Sequence, residues 1–123
     1  MYDVSEQRVW LVAARNRVER TYPVSGALDE TKLPPDTYEV YSKSRHAISY
    51  DHEETMRYMV RFSAGDNAAI GFHDVPKLLD GTPAQSRSDL GTPLSAGCIR
   101  QWITDARALW RFAPVGTEVV VVA

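Results

Sequence analysis

Two residues stand out as able to do chemistry together. The chain contains a single cysteine, Cys98, in the run Ser95-Ala96-Gly97-Cys98, and one histidine, His73, at the end of an apolar stretch. Acyl transfer by a thiol needs a nucleophile held in an exposing turn, a base for its proton, and donors for the oxyanion. Gly97 allows a tight turn and a close approach to a substrate, and successive N–H groups around Gly97 and Cys98 could converge on one carbonyl oxygen. Residue types alone leave the matter open. A lone cysteine after glycine is more often a small core residue than a nucleophile, and a lone strand-end histidine is more often structural. With no second cysteine, an internal disulfide is excluded, and a lone thiol in an exported protein is worth flagging as reactive.

The other polar candidates are weaker. His46 and His52 lie in a polar segment without the short ligand spacing of a zinc site, so neither metal nor cofactor is expected. Asp51, Glu53 and Glu54 read as a solvated acidic cluster, and Arg100, on its own, as a surface arginine. With 14 Lys and Arg against 16 Asp and Glu, the net charge of −2 offers no electrostatic case for nucleic acid or an anionic membrane. No apolar run is long enough to span a bilayer, and Met1-Tyr2-Asp3-Val4 does not open a signal peptide. The chain is therefore either cytosolic or a trimmed domain whose export signal lies upstream.

Elements must position Cys98 and His73. At 123 residues the chain fits one domain, 1–123. Residues 7–13 alternate Val9, Leu11 and Ala13 against Arg8, Trp10 and Val12, a strand period. Asn16 turns the chain into an extended Val18–Val24 to make a hairpin that Ser25-Gly26 ends. Pro34 and Pro35 mark a loop over 29–36, and Thr37–Tyr41 is a third strand. Ser42–Glu54 shows no period and is read as irregular. Thr55–Phe62 alternates, with Met56, Tyr58, Val60 and Phe62 opposite Thr55, Arg57, Met59 and Arg61. Gly65-Asp66-Asn67 signals a turn, and Ala68–Phe72 is a strand that delivers His73. Residues 74–97 carry three prolines and three glycines, the mark of a functional loop when it sits inside a compact domain. One helix is expected over Thr104–Phe112, with Thr104 as N-cap, Asp105 in the first turn, Arg111 in the last and Pro114 as the stop. Gly116-Thr117 leads into a final strand, Glu118–Val122. The expectation is a mostly β domain with one helix.

The stretch LGTPLSAGCIRQWITDARALWRFAPVGTEVVVV resembles the active-site signature of the YkuD-type L,D-transpeptidases. Ser95, Gly97, Cys98, Ile99, Arg100, Gly116 and Thr117 match that pattern. IGFHDVP is similar to the family's strand ending in its catalytic histidine, and QRVWLVAARNRVERTYPVSGA to its opening strands. Leu33–Tyr38 resembles the turn and strand that follow, with Asp36 where glycine is usual. Ala96 departs from the pattern, which has histidine there, and the loop between His73 and Ser95 is longer than the common form.

The resemblance implies a β-sandwich-like domain with one packed helix and an extracytoplasmic enzyme acting on peptidoglycan tetrapeptide stems. Cys98 would attack the carbonyl of the third-position diamino acid and expel the terminal D-alanine. An amine from a second stem would then take the acyl group, giving a cross-link. His73 would handle the protons, and the Asp74 backbone carbonyl would orient its ring. Arg100 would pair with a substrate carboxylate or buttress the site. Ser95 and Tyr58 would line the pocket, and Gly97 and Ala96 would shape the oxyanion loop. Carbapenem-type β-lactams are the implied inhibitors. Two other readings stand beside this one: an L,D-carboxypeptidase, with water as acceptor, and a non-catalytic domain that binds peptidoglycan or another protein.

Overall fold

The computed structural model describes residues 1–65 and 68–123. The turn signal at Gly65-Asp66-Asn67 therefore falls largely on two residues, Asp66 and Asn67, outside the described ones. The strands are β1 (Tyr2–Asp3), β2 (Arg8–Ala13), β3 (Arg17–Pro23), β4 (Asp36–Glu39), β5 (Ser42–Ile48), β6 (Glu54–Ala64), β7 (Ala69–Asp74), β8 (Lys77–Leu78), β9 (Ile99–Gln101) and β10 (Glu118–Val122), with one α-helix, α1 (Ile103–Phe112), before the last strand.

The strands form two sheets. The first runs β3-β2-β1-β10-β4, with β1 parallel to β10 and antiparallel to β2. The second runs β5-β6-β7-β9, with β8 on the end of β6 and β9 parallel to β7. Alternation turns one face of each sheet inward. Val9, Leu11, Val119 and Val121 from the first sheet meet Val60, Phe62, Ile70, Phe72 and Ile99 from the second. Edge-to-face pairs join them, Tyr2 to Phe72 at 6.4 Å and Tyr38 to Phe62 at 5.5 Å between ring centroids. Leu109 of α1 joins this core, and an Arg20–Asp105 ion pair of 2.9 Å ties the helix to β3. The sandwich with one packed helix is the architecture expected.

Several local expectations are corrected. Ser42–Ile48, read as irregular, is a full strand paired along β6. The helix begins at Ile103, one residue before the expected N-cap; Trp102 is the capping position and makes no side-chain cap. The run 29–36 contains a short 3-10 turn over Glu30–Lys32, capped by the Asp29 side chain on the Thr31 N–H. The alternation of 55–62 breaks at Tyr58, whose φ is +57°. Val60 and Phe62 do enter the core, but Tyr58 is turned onto α1, with its ring 5.7 Å from that of Trp110.

Candidate active site

The second sheet carries the site on its outer face. In β7, Ile70 and Phe72 point into the core, so Gly71 and His73 point out. In the neighbouring β9, Ile99 and Gln101 are fully buried and Arg100 points out. The parallel register sets Phe72 beside Ile99 and His73 beside Arg100. Continued by one residue, it sets Cys98 beside Gly71. The outward row therefore brings together Cys98, His73 and Arg100, which all line one groove of about 520 Å³. The same groove is lined by Met56, Met59 and Arg61 of β6 and by Ser95, Ala96 and Gly97 of the loop before β9.

His73 is only 3% exposed. Its Nδ1 lies 2.5 Å from the backbone carbonyl of Asp74. A carbonyl only accepts, so Nδ1 carries the proton and Nε2 is the basic nitrogen. Burial pulls the imidazole pKa down to about 4, against the raising effect of the Asp74 bond, and the Arg100 charge lowers it further. The ring is neutral at pH 7. The Asp74 carboxylate is held in turn by the Arg57 N–H at 2.7 Å and Arg57 Nε at 2.9 Å. Beneath the ring, Gln101 donates from Nε2 to the His73 carbonyl at 3.4 Å and accepts the Tyr22 hydroxyl.

Burial pushes the Cys98 thiol above its usual range, opposed by the Gly71 N–H and by the charges of Arg61 and Arg100. Its Sγ–H donates to the Ala69 carbonyl at 3.5 Å. Among the described residues no hydrogen bond joins Sγ to the imidazole. The two groups therefore share a groove as neutral thiol and neutral base. The loop that presents the thiol is braced from within: the Ser95 hydroxyl donates to the Cys98 carbonyl and accepts the Gly97 N–H at 3.2 Å. The Ser95 N–H is bonded to the Gly26 carbonyl at 3.0 Å. The Gly97 N–H is thus engaged, whereas the Cys98 N–H has no such loop bond among the described residues. Ala96 is exposed on the rim.

The structure sorts the remaining candidates. Tyr58 lies outside the groove, because the backbone reversal at its own position turns it toward Trp110 and Arg107. Arg100 is engaged within the chain. Its Nη1 donates to Gln85 Oε1 at 3.1 Å and its Nη2 lies 3.8 Å from Glu54 Oε2. Gln85 is fixed to Ser25 Oγ at 3.0 Å, so Arg100 staples the 74–97 loop to the sheet. Glu54, read as part of a solvated cluster, faces the groove. His46 pairs across from Arg57 on β5, and His52 occupies a turn at φ +60°.

Sequence reasoning missed Gly71, Arg61 and Gln85. Arg61 had a signal, since the alternation of 55–62 puts it opposite Val60 and Phe62. Gly71 is demanded by geometry: a Cβ there would lie 2.3 Å from the Val60 carbonyl oxygen, where β6 shifts register against β7.

A thiol and a tautomer-locked histidine share one groove on the outer face of a β-sandwich, and comparison with known proteins places the chain in a family. Residues 1–121 match the family model of the L,D-transpeptidase catalytic domain, YkuD, and the chain belongs to that family. It is 30% identical over 124 residues to the Bacillus subtilis (strain 168) protein named "Putative L,D-transpeptidase YciB", covering 97% of this chain and 62% of that one. In fold it is similar to the L,D-transpeptidase LdtMt1 in complex with imipenem, with TM-score 0.75, 22% identity, and coverage of 98% of this chain and 56% of that one. A Mycobacterium smegmatis L,D-transpeptidase gives TM-score 0.75 at 18% identity, with the same coverage. The chain thus spans about three fifths of the length of the B. subtilis relative and just over half of these two structures.

Proposed function

We propose that the chain is a cysteine L,D-transpeptidase acting outside the membrane on peptidoglycan tetrapeptide stems, with Cys98 as nucleophile and His73 as base. One observation carries the reading: Cys98 and His73 face one groove from adjacent strands, and the Asp74 carbonyl commits Nδ1, leaving Nε2 as the proton acceptor.

Because the thiol is raised and the imidazole lowered, they do not rest as an ion pair. The proton passes from Sγ to Nε2 as sulfur attacks the carbonyl carbon of the third stem residue. The Cys98 N–H meets the developing oxyanion. As the tetrahedral adduct collapses, the carbon–nitrogen bond breaks and Nε2 returns the proton to the departing D-alanine amine. A side-chain amine of a second stem then attacks the thioester, gives its proton to Nε2, and expels the sulfur, which regains that proton.

The thiol's bond to Ala69 and the absence of one to His73 among the described residues favour a second reading, a non-catalytic binding domain whose cysteine is inert. Incubation with imipenem separates the two. The enzyme reading expects one covalent adduct per chain by intact mass, lost in Cys98→Ala. Folded, reduced protein that stays unmodified supports the inert domain. With stem tetrapeptides, a cross-linked dimer marks the transpeptidase and a trimmed tripeptide marks an L,D-carboxypeptidase.

A further inference from the structure

The groove is electropositive on a chain whose net charge is −2. Among its described lining residues Glu54 is the one carboxylate, and it lies beside Arg100. Arg61 is placed differently. It stands on β6 opposite Gly71 and, through the register, in line with Cys98 on the far side of β7. Gly71 has no side chain, so nothing on β7 stands between them. The backbones of Arg61 and Cys98 are two strand spacings apart, about 9.5 Å.

The Arg61 guanidinium is anchored by one nitrogen only, with Nη1 donating to Ser44 Oγ at 2.8 Å and Ser42 Oγ at 3.2 Å. Among the described residues Nε and Nη2 have no partner and no carboxylate neutralises the group. A partly buried guanidinium left without an anion retains a desolvation cost that a bound carboxylate removes, and its planar fork fits a carboxylate with two donors.

We propose that Arg61, and not Arg100, binds the donor stem's terminal carboxylate, the one carried by the leaving residue, across the gap over Gly71. That carboxylate lies one residue beyond the scissile bond, so with the scissile carbonyl at Sγ a stem laid across β7 toward β6 carries it to Arg61. Arg61 is then the residue that selects stems with a free C-terminus. The proposal deepens the transpeptidase reading and rests on it for the identity of the substrate.

The test uses alkylation of Cys98 by iodoacetate and iodoacetamide, which differ in the carboxylate and need no acyl transfer. Arg61→Gln should lower the iodoacetate-to-iodoacetamide rate ratio about tenfold, the worth of a charge-assisted bond, and Arg61→Lys should restore part of it. Arg100→Gln should change both rates together and leave the ratio alone. With stem substrate, Arg61→Gln should raise KM for the free acid more than it lowers kcat, and the C-terminal amide should be insensitive to the substitution. An unchanged ratio in folded Arg61→Gln overturns the proposal, as does an equal fall in Arg100→Gln or a native thiol closed to both reagents. A ratio that falls as expected in a protein that never acylates retains the carboxylate site and removes the transpeptidase.

Discussion

At the scale of single residues, the site is defined by opposed shifts on its two central groups. Burial keeps His73 neutral down to a pKa of about 4, whereas the same imidazole in the unfolded chain takes a proton near 6.5. Between those values the unfolded chain binds more protons. The contribution to stability is therefore complete above pH 6.5 and is lost as pH falls toward 4. At about 1.4 kcal/mol per pKa unit this amounts to roughly 3 kcal/mol. Urea unfolding followed from pH 7 to 4.5 should show falling stability, and His73→Gln should flatten the curve. Asp74, raised by burial, acts in the opposite sense, so a slope that survives in His73→Gln would assign the effect elsewhere. The raised thiol makes a second expectation. Iodoacetamide labelling of Cys98 should climb by about a factor of ten per pH unit from 7 to 9, since thiolate is the reactive species, and a plateau near neutrality would reveal an ion pair with His73. Finally, the exposed position of Ala96 on the rim predicts that Ala96→His folds normally and changes acylation only modestly; a jump in imipenem adduct from none to complete would show that the loop needs a histidine there.

At the scale of elements, what could be read in the sequence was whatever buries one face. β2 shows the alternation of a half-buried strand, β3 follows from the Asn16 turn, and β7 and β10 are short apolar runs bounded by turn signals; each is found where those signals put it. β5 was hidden because none of its residues is buried; with neither face in the core, no hydrophobic period is written. β1 and β9, with two and three residues, are too short to show one. Tyr58 was misplaced because a positive φ is a backbone event that side-chain types do not record. In the site, Cys98 and His73 could be picked out by residue type, whereas the use of Arg100 within the chain depends on Gln85, a loop glutamine with no local signature. Gly71 illustrates how strictly one element is fixed. Gly71→Ala should cost about 3 kcal/mol, the upper range of overpacking penalties, because the obstacle is the backbone of β6 and not a side chain that can rotate. Denaturant titration checks this, and a cost under 1 kcal/mol would mean that the register shift relaxes.

At the scale of the whole molecule, two strands carry the site and two others close the domain around it. β1 joins β2 to β10, so the continuity of the first sheet passes through Tyr2 and Asp3. Removing residues 1–4 should abolish the cooperative thermal transition, since it takes out a core ring, Tyr2, together with the pairing that holds β10. A truncated chain that melts as sharply as the parent would show that β2 can pair with β10 directly. The same connection sets a timetable for the ribosome. β5, β6 and β7 follow one another along the chain and can pair as each emerges, whereas the first sheet has a gap at its middle until β10, following α1, is made. Through most of its synthesis the nascent polypeptide holds β1 and β4 as unmated edges, the state in which strands recruit wrong partners. A chaperone that acts on this protein would find its binding site there.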